Sequence, residues 1–263
     1  MEPVARIQFD FGGETVLVTG ASRGIGYGIA EAFARSGADV IVLAESDDVF
    51  GAAHRLSEIA SGTVRALKCD IADPAAVEAA AAAIDAVDVL VNNAGLELLT
   101  PLGDGSRETA AAFRRIVDIN VLGTYYVTRA VAPAMRHGGR ILFTASIWSR
   151  VSVAEFSAYC ASKHATLGFM RSMALELAPR GIRVNAVCPG WVRTDASLRS
   201  LREMSRRSNR SEEELLEEIA GNQVFGGLME PGDVSPFYLY LASDAAANMT
   251  GQALMADRGE VMA

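Results

Sequence analysis

The sequence predicts an α/β fold in which one doubly wound, seven-stranded parallel sheet is flanked by helices. Three observations support this prediction. Short β-branched runs alternate with longer helical stretches along almost the whole chain. The runs are apolar on both faces, as expected of strands buried between two layers of helices. No linker or low-complexity stretch divides the 263 residues, so we expect a single domain spanning 1–263.

The amino-terminal half contains four of these strands, and its helices carry recognisable end signals. One helix stops at Gly37, and another begins with Asp73 as its cap and Pro74 in its first turn. The strands are predicted at 14–20, 38–45, 64–70 and 87–95, and the helices at 27–37, 49–60 and 73–85.

The carboxyl-terminal half continues the alternation. A long helix is predicted over much of 106–136, and a capping box formed by Ser211 and Glu214 opens a short acidic helix. The other predicted elements are strands 139–146, 182–190 and 251–257 and helices 155–178, 211–220 and 231–243.

The composition excludes several classes of function. A net charge of −8 argues against nucleic-acid binding. No apolar run approaches the roughly 20 residues that span a bilayer, and residues 1–13 lack the apolar core of a signal peptide. We therefore expect a cytoplasmic protein that binds a small molecule and neither nucleic acid nor membrane.

Neither the cysteines nor the histidines form a metal-ligand or disulfide pattern. Each cysteine lies among apolar or small residues, so we interpret all three as core thiols and expect no metal site. The residues concerned are Cys69, Cys160 and Cys188, with His54, His137 and His164.

A glycine-rich turn follows the first predicted strand. In "TGASRGIG" (19–26), Gly20, Gly24 and Gly26 lead directly into a helix. Glycines in such a turn let the backbone approach a pyrophosphate, and the helix N-terminus offers free N–H groups. No Gly-Lys-Ser/Thr follows, so the turn is not a P-loop. The context predicts a dinucleotide site.

The spacing of this turn resembles the T-G-x-x-x-G-x-G fingerprint of the short-chain dehydrogenase/reductase family. Other parts of that family's pattern follow in order along nearly the whole chain, namely "NNAG" (92–95), Asn120, Ser146, Tyr159, Lys163, "PG" (189–190) and Thr194. The resemblance implies a Rossmann-type fold and hydride transfer between a nicotinamide cofactor and an alcohol or carbonyl.

The resemblance also implies roles for individual residues. Tyr159 would be the acid/base, Lys163 its helper, Ser146 the orienting hydroxyl, and Asn120 the anchor of a proton-relay water. The cofactor would be held by Gly20, Ser22, Arg23, Gly24, Ile25, Gly26, Glu45, Asp70, Ile71, Asn93, Ala94, Gly95, Tyr159, Lys163, Pro189, Gly190, Val192 and Thr194.

Tyr159 and Lys163 lie four residues apart, on one face of a predicted helix. Lys163 is one of only two lysines among 24 basic residues. A nearby ammonium favours the phenolate, so we expect the pKa of Tyr159 to lie below its usual value of about 10. The guanidinium of an arginine would not be a simple replacement for the ammonium of Lys163.

Glu45, at the end of the second strand, favours NAD, with NADP as the alternative. Its carboxylate could accept hydrogen bonds from the ribose hydroxyls of NAD and would repel the 2′-phosphate of NADP. Two features oppose a preference for NAD. Ala44 occupies the place where NAD users of the family often carry aspartate, and Arg23 is a residue type that NADP users often place near the phosphate.

Substrate contacts are predicted for Glu97, Ser146, Trp148, Arg150, Tyr159 and Trp191, covered by a segment over about 195–225. Arg150 could clamp a carboxylate, and the polar and aromatic mixture favours a sugar or a sugar acid. The arginines at 199, 202, 206, 207 and 210 could face the substrate or pair with the acidic run 211–218.

Two alternatives remain at this point. One is a 3-oxoacyl thioester reductase using NADPH, and the other is a non-catalytic dinucleotide-binding regulator. The resemblance further implies a homotetramer, or a homodimer, with Arg258 in the carboxyl-terminal tail either reaching a neighbouring subunit or lying exposed.

Overall fold

All seven predicted strands form, and they build one parallel sheet with the order β3-β2-β1-β4-β5-β6-β7. The computed structural model describes residues 8–262. The prediction that residues 1–13 contain no signal peptide falls mostly on residues 1–7, which lie outside the described residues. The strands are β1 (Thr15–Thr19), β2 (Asp39–Ala44), β3 (Val64–Lys68), β4 (Val87–Asn92), β5 (Met135–Thr144), β6 (Arg183–Pro189) and β7 (Ala253–Ala256).

The described chain also contains nine α-helices. They are α1 (Gly24–Arg35), α2 (Asp48–Ser57), α3 (Pro74–Ala82), α4 (Arg107–Val117), α5 (Thr124–Val131), α6 (Ser157–Leu177), α7 (Asp195–Ser208), α8 (Glu212–Gly221) and α9 (Pro231–Ala242).

The apolar pattern of the strands explains the two covered faces. In β1, Val16 and Val18 pack in the core beneath α1 and α9, whereas Leu17 packs in a second core beneath α5 and α6. Successive side chains of a strand point to opposite faces, so a strand that is apolar throughout needs a helix layer on each side.

The strand order reverses between β1 and β4, which pair in parallel with Val16 opposite Val89. β2 and β3 lie on one side of this point, and β5, β6 and β7 lie on the other. In open sheets of this kind a crevice forms outside the carboxyl ends of the strands where the order reverses. The sequence motifs described above end several of these strands.

The long helix predicted over much of 106–136 is confirmed, since residues 107–134 are helical without a break. It contains a π-helical stretch, Asp118–Gly123, between α4 and α5, and it ends in a 3₁₀ turn that contains Pro133. Proline lacks the N–H that would continue the helix. β5 begins at Met135, earlier than expected.

The segment over 195–225 contains two helices, and α7 was not predicted as a separate element. Thr194 and Ser197 form a capping box at its start, and Asn209 in a left-handed conformation ends it. The predicted capping box of Ser211 and Glu214 opens α8.

The arginines of this segment do not pair with the acidic run as a group. Only Arg210 does so, through Glu218, whereas Arg207 pairs with Glu155 outside the segment. The alternative that all of them pair with residues 211–218 was wrong.

Arg258 contacts its own chain. Its Nη1 donates to the carbonyl oxygen of Gly226 over 2.6 Å, and its Nη2 lies 3.6 Å from Asp233. It is therefore not a free loop charge. Among the described residues, no helix has the length and apolarity needed to cross a membrane.

Candidate active site

Two adjoining cavities open at the carboxyl ends of the strands, where the order of the sheet reverses. The larger has a volume of about 390 Å³ and extends from the glycine turn past the ends of β2 and β3. The smaller, about 80 Å³, lies beside the ends of β5 and β6. Glu97, Thr144 and Tyr159 line both cavities, so the two spaces meet at these residues.

The larger cavity is lined by nearly all of the residues predicted to hold a cofactor. Pro189, Gly190 and Val192 line the smaller one instead. The members around the larger cavity are Gly20, Ser22, Arg23, Gly24, Ile25, Gly26, Glu45, Asp70, Ile71, Asn93, Ala94, Gly95, Tyr159, Lys163 and Thr194.

The glycine turn forms a cradle that a side chain would fill. Gly20 has φ +66°, and a Cβ on it would lie 2.7 Å from the Cα of Ala94. A Cβ on Gly26 would collide with the carbonyl oxygen of Gly20. The first turn of α1 lines the cavity and offers unpaired N–H groups to an anion. These residues fit the pyrophosphate of a dinucleotide.

Asn93 ties three strand ends together below this cradle. Its Nδ2 donates to the carbonyl oxygen of Thr19 over 3.0 Å, and its Oδ1 accepts from the Thr144 hydroxyl over 3.0 Å. The Thr19 hydroxyl accepts from the backbone N–H groups of Asn93 and Ala94. The side chain of Asn93 thus fixes the edge of the cavity.

At the far end of the larger cavity, Glu45 and Asp70 both lie close to the guanidinium of Arg115, a residue that was not among the predicted site residues. Nη2 of Arg115, on α4, lies 3.0 Å from Asp70 Oδ2 and 3.7 Å from Glu45 Oε2. The pKa of Asp70 is lowered by the N–H of Ala72 and by Arg115, against the effect of burial. Nothing in the pattern of the predicted helix distinguished Arg115 from its neighbours.

Tyr159 and Lys163 project from α6 to the junction of the cavities. Lys163 is buried, and its Nζ donates to the carbonyl oxygen of Thr144 over 2.7 Å. The same Nζ lies 5.5 Å from the centroid of the Tyr159 ring. Burial lowers the pKa of Lys163 to about 8, although Glu97 acts in the opposite direction.

The expected decrease in the pKa of Tyr159 was wrong. Burial raises this pKa above the usual value, and the negative charge of Glu97 raises it further. The Ser146 hydroxyl acts as a hydrogen-bond partner of the phenol and opposes the rise. The i,i+4 spacing predicts only the effect of Lys163, because neither the degree of burial of Tyr159 nor the proximity of Glu97 follows from it.

Asn120 lies in the π-helical stretch and lines neither cavity. Its Oδ1 accepts from Leu96 N over 2.7 Å, and its Nδ2 donates to the Leu96 carbonyl and to the Ser162 hydroxyl, each over 3.0 Å. Ser162 in turn donates to the carbonyl oxygen of Tyr159. The side chain therefore connects the loop after β4 to the helix that carries Tyr159.

Aromatic side chains close the smaller cavity. The Trp148 ring packs edge-on against Tyr159 and Trp191, with centroids 5.8 and 6.5 Å apart. Leu201 of α7 and Leu215 of α8 belong to the same apolar cluster. These two helices therefore pack against the residues that line the smaller cavity.

Of the predicted substrate contacts, only Arg150 lies away from these cavities. The Ser146, Trp148, Tyr159, Trp191 and Glu97 side chains line the smaller cavity. Arg150 directly follows the short 3₁₀ turn that Ser146 caps; it is exposed and lines neither cavity. The structure therefore does not bring Arg150 to the proposed substrate.

Comparisons with known proteins agree with this geometry. The family model described as enoyl-(acyl carrier protein) reductase matches residues 20–260. Oxidoreductase UcpA of Salmonella typhimurium is 39% identical over 261 residues, 95% of both chains. L-rhamnose 1-dehydrogenase (NAD(P)(+)) of Azotobacter vinelandii is 37% identical over 257 residues, 94% of this chain and 96% of that protein.

The fold is also similar to that of solved dehydrogenase and reductase structures. L-sorbose reductase from Gluconobacter frateurii, in complex with NADPH and L-sorbose, matches with a TM-score of 0.88 and 26% identity, over 98% of this chain and 100% of that one. The chain therefore belongs to the short-chain dehydrogenase/reductase family and is an NAD(P)-dependent oxidoreductase.

Proposed function

We propose that this enzyme interconverts a secondary alcohol and a ketone on a small hydroxylated molecule, a sugar or a sugar acid, with NAD preferred and NADP accepted. The observation that carries the proposal is the convergence of Ser146, Tyr159 and Lys163 where the two cavities meet. The larger cavity suits a dinucleotide, and the smaller one leaves room for a substrate beside Tyr159.

The bound nicotinamide supplies the hydride acceptor in oxidation and the hydride donor in reduction. The protein must bind the cofactor, exclude water and transfer one proton. The glycine turn and the ends of β2, β3, β4 and β6 would hold the cofactor, and Trp148 and Trp191 would exclude water from the reacting end.

Tyr159 would exchange the proton with the substrate oxygen. In reduction its phenol donates to the carbonyl oxygen as the carbon accepts a hydride; in oxidation the phenolate accepts the hydroxyl proton as the hydride leaves. Ser146 would orient the substrate oxygen, and the Lys163 ammonium would favour the phenolate. We assign Asn120 a positioning role, since its amide connects Leu96 to α6.

Two of the similar proteins support the sugar class, because one is named for L-rhamnose and the other was solved with L-sorbose. A second candidate is the reduction of a 3-oxoacyl thioester with NADPH, which the similarity to a putative ketoacyl reductase of Streptomyces coelicolor, 36% identical over 252 residues, supports. Glu45 opposes this candidate, since its carboxylate lines the larger cavity and would repel a 2′-phosphate.

A substrate screen separates the two candidates. Sugars, sugar acids, polyols and 3-hydroxyacyl compounds would each be offered with NAD and with NADP, and formation of the reduced cofactor would be followed by absorbance. We expect turnover of a sugar or polyol with NAD. Turnover restricted to acyl thioesters with NADPH would contradict the proposal.

Replacing Tyr159 with phenylalanine tests the proton-transfer step. Tyr159→Phe removes the titrating hydroxyl and keeps the ring that packs against Trp148. We expect turnover to be lost, by at least about 100-fold, while the cofactor still binds with wild-type affinity. Near-normal turnover in this variant would show that another group transfers the proton.

The cellular location and the assembly remain predictions. We propose a cytoplasmic homotetramer or homodimer. The family resemblance implies an interface formed by the helical stretches predicted at 106–136 and 155–178. In the first of these stretches Phe113, Leu122 and Tyr125 are large apolar residues with exposed surface, which supports assembly through that face.

A further inference from the structure

The Glu97 carboxyl lacks a partner for one of its oxygens. Oε1 is completely buried and has no hydrogen-bond partner among residues 8–262. A buried acceptor without a donor costs about 1–3 kcal/mol, and buried polar groups in native proteins are nearly always hydrogen-bonded. A bound molecule that donates a hydrogen bond to Oε1 would remove this cost.

The neighbouring donors are engaged elsewhere. Arg199 donates to the backbone carbonyl oxygen of Glu97 over 3.0 Å, and Lys163 Nζ donates to Thr144. The Ser200 hydroxyl is a hydrogen-bond partner of the carboxyl and lowers its pKa, but burial dominates and raises it. These contacts hold Glu97 in place and leave Oε1 to a ligand.

The position of Glu97 identifies where that ligand lies. Glu97 lines both cavities, and its charge acts on Tyr159 and on Lys163. A group that binds Oε1 is therefore beside the proposed reacting centre. Arg150 lies outside the cavities, and Arg199 and Lys163, the two cations that act on Glu97, each donate to a backbone carbonyl oxygen. The carboxylate of Glu97 would repel that of an acidic substrate.

We propose that Glu97 binds a second, non-reacting hydroxyl group of the substrate, next to the carbon that is oxidised, and thereby selects a neutral vicinal diol over a simple alcohol or an acid. The inference rests on the proposed function and narrows its substrate class to neutral sugars and polyols. Ser200 and Arg199 of α7 position the loop that carries Glu97.

Two neutral probes that differ in one hydroxyl test this inference. Cyclohexanol and 1,2-cyclohexanediol would be oxidised by the wild type and by Glu97→Ala, with either cofactor. We expect the wild type to prefer the diol. We expect Glu97→Ala to lower the ratio of kcat/KM for the diol to that for cyclohexanol by about 10- to 100-fold, the loss of one hydrogen bond to a charged group. A change in the pKa of Tyr159 would affect both probes equally and cancel in this ratio.

Further variants exclude a structural effect. Glu97→Gln keeps an oxygen acceptor of the same shape and should retain part of the preference for the diol. Glu203→Ala, which removes another carboxylate near α7 that pairs with Arg206, should leave the ratio of the two probes unchanged. Cofactor affinity, measured for each variant, would report whether the larger cavity remains intact.

Each remaining outcome is decisive. An unchanged ratio in Glu97→Ala, an equal loss for both probes, or a wild-type preference for cyclohexanol would overturn the role of Glu97 and leave the proposed alcohol oxidation standing. If the wild type oxidised a sugar or polyol but neither probe, the proposed recognition of a vicinal diol would be overturned, whereas oxidation of none of these compounds with NAD or NADP would contradict the proposed function itself.

Discussion

Burial and several neighbouring groups act on the pKa of the Tyr159 phenol, and most of them raise it. Burial and the carboxylate of Glu97 raise its pKa, and the Ser146 hydroxyl lowers it. Cys160 on the same helix and Tyr238 on α9 raise it further. A raised pKa keeps the phenol protonated at neutral pH, so Tyr159 is better prepared to donate a proton to a carbonyl than to accept one from an alcohol.

The pH dependence of oxidation should reveal the contribution of Glu97. Oxidation needs the phenolate, so kcat/KM should increase with pH up to the pKa of Tyr159. Glu97→Gln removes a negative charge that opposes the phenolate, and this pKa should therefore decrease. We expect the midpoint of the rise to move to lower pH by about half a unit or more, as measured in pH profiles of alcohol oxidation.

The matched control is Glu203→Gln, on the side of α7 where Glu203 pairs with Arg206. Its profile should superimpose on that of the wild type. A Glu97→Gln profile that does not move, or moves to higher pH, would mean that the carboxylate does not act on the proton-transfer step.

At the scale of elements, α4 contributes to the cofactor end of the molecule. Arg115 extends from this helix to the carboxylates that end β2 and follow β3. The guanidinium lies 3.7 Å from Glu45 and offsets part of the repulsion that Glu45 would exert on a 2′-phosphate. This contact explains how a chain with an acidic residue at the end of β2 could still accept NADP.

The ratio of NAD to NADP use should therefore depend on Glu45. In Glu45→Ala the repulsive carboxylate is lost while Arg115 remains, so NADP should bind better. We expect kcat/KM for NADP relative to NAD to increase about tenfold, which corresponds to about 1.4 kcal/mol. Steady-state kinetics with both cofactors at one ionic strength would measure it.

Asp47→Ala is the matched control, because Asp47 pairs with Lys68 and does not line the larger cavity. Its cofactor ratio should match that of the wild type. An unchanged ratio in Glu45→Ala would mean that the residue after β2 does not select the cofactor.

The elements that the sequence predicted well are those with a strong local pattern. The strands are continuous apolar runs, and Asp73 and Ser211 cap helices as expected. The π-helical stretch around Asn120 was not predicted. The side chain of Asn120 is held by hydrogen bonds to Leu96 and Ser162, which are distant from it in sequence. Local patterns do not report such contacts.

Local sequence patterns were also insufficient to predict every contact of the candidate active site. The ordered motifs placed Ser146 just after β5, at the edge of the sheet where the carboxyl ends of parallel strands meet, and placed Tyr159 and Lys163 on the helix that follows. They did not indicate that Arg150 would point outward or that Glu97 would act on Tyr159. Those properties depend on the packing of loops and on burial, and both appear only in three dimensions.

At the scale of the whole molecule, one arginine connects the sheet to a helix layer. Arg183, at the start of β6, donates two hydrogen bonds from each of its terminal nitrogens to carbonyl oxygens at the end of α9 and just beyond it. The acceptors are Leu241, Ala242, Ser243 and Ala246, at 2.8–3.2 Å. Leu241 and Ala242 belong to the last turn of α9, whose carbonyls have no intrahelical donors, so Arg183 fixes the end of α9 against the sheet.

Removing this connection should destabilise the fold without altering the site directly. Arg183→Ala leaves the helix-end carbonyls of α9 without their donor, and we expect the free energy of unfolding to decrease by about 2–4 kcal/mol. Denaturant unfolding would measure the decrease.

Arg35→Ala is the control, because Arg35 forms an exposed i,i+4 pair with Glu31 of a kind that contributes only about 0.3–0.5 kcal/mol. Equal effects in the two variants would show that α9 is held by its apolar contacts with α1 and the sheet, and that the arginine contributes little.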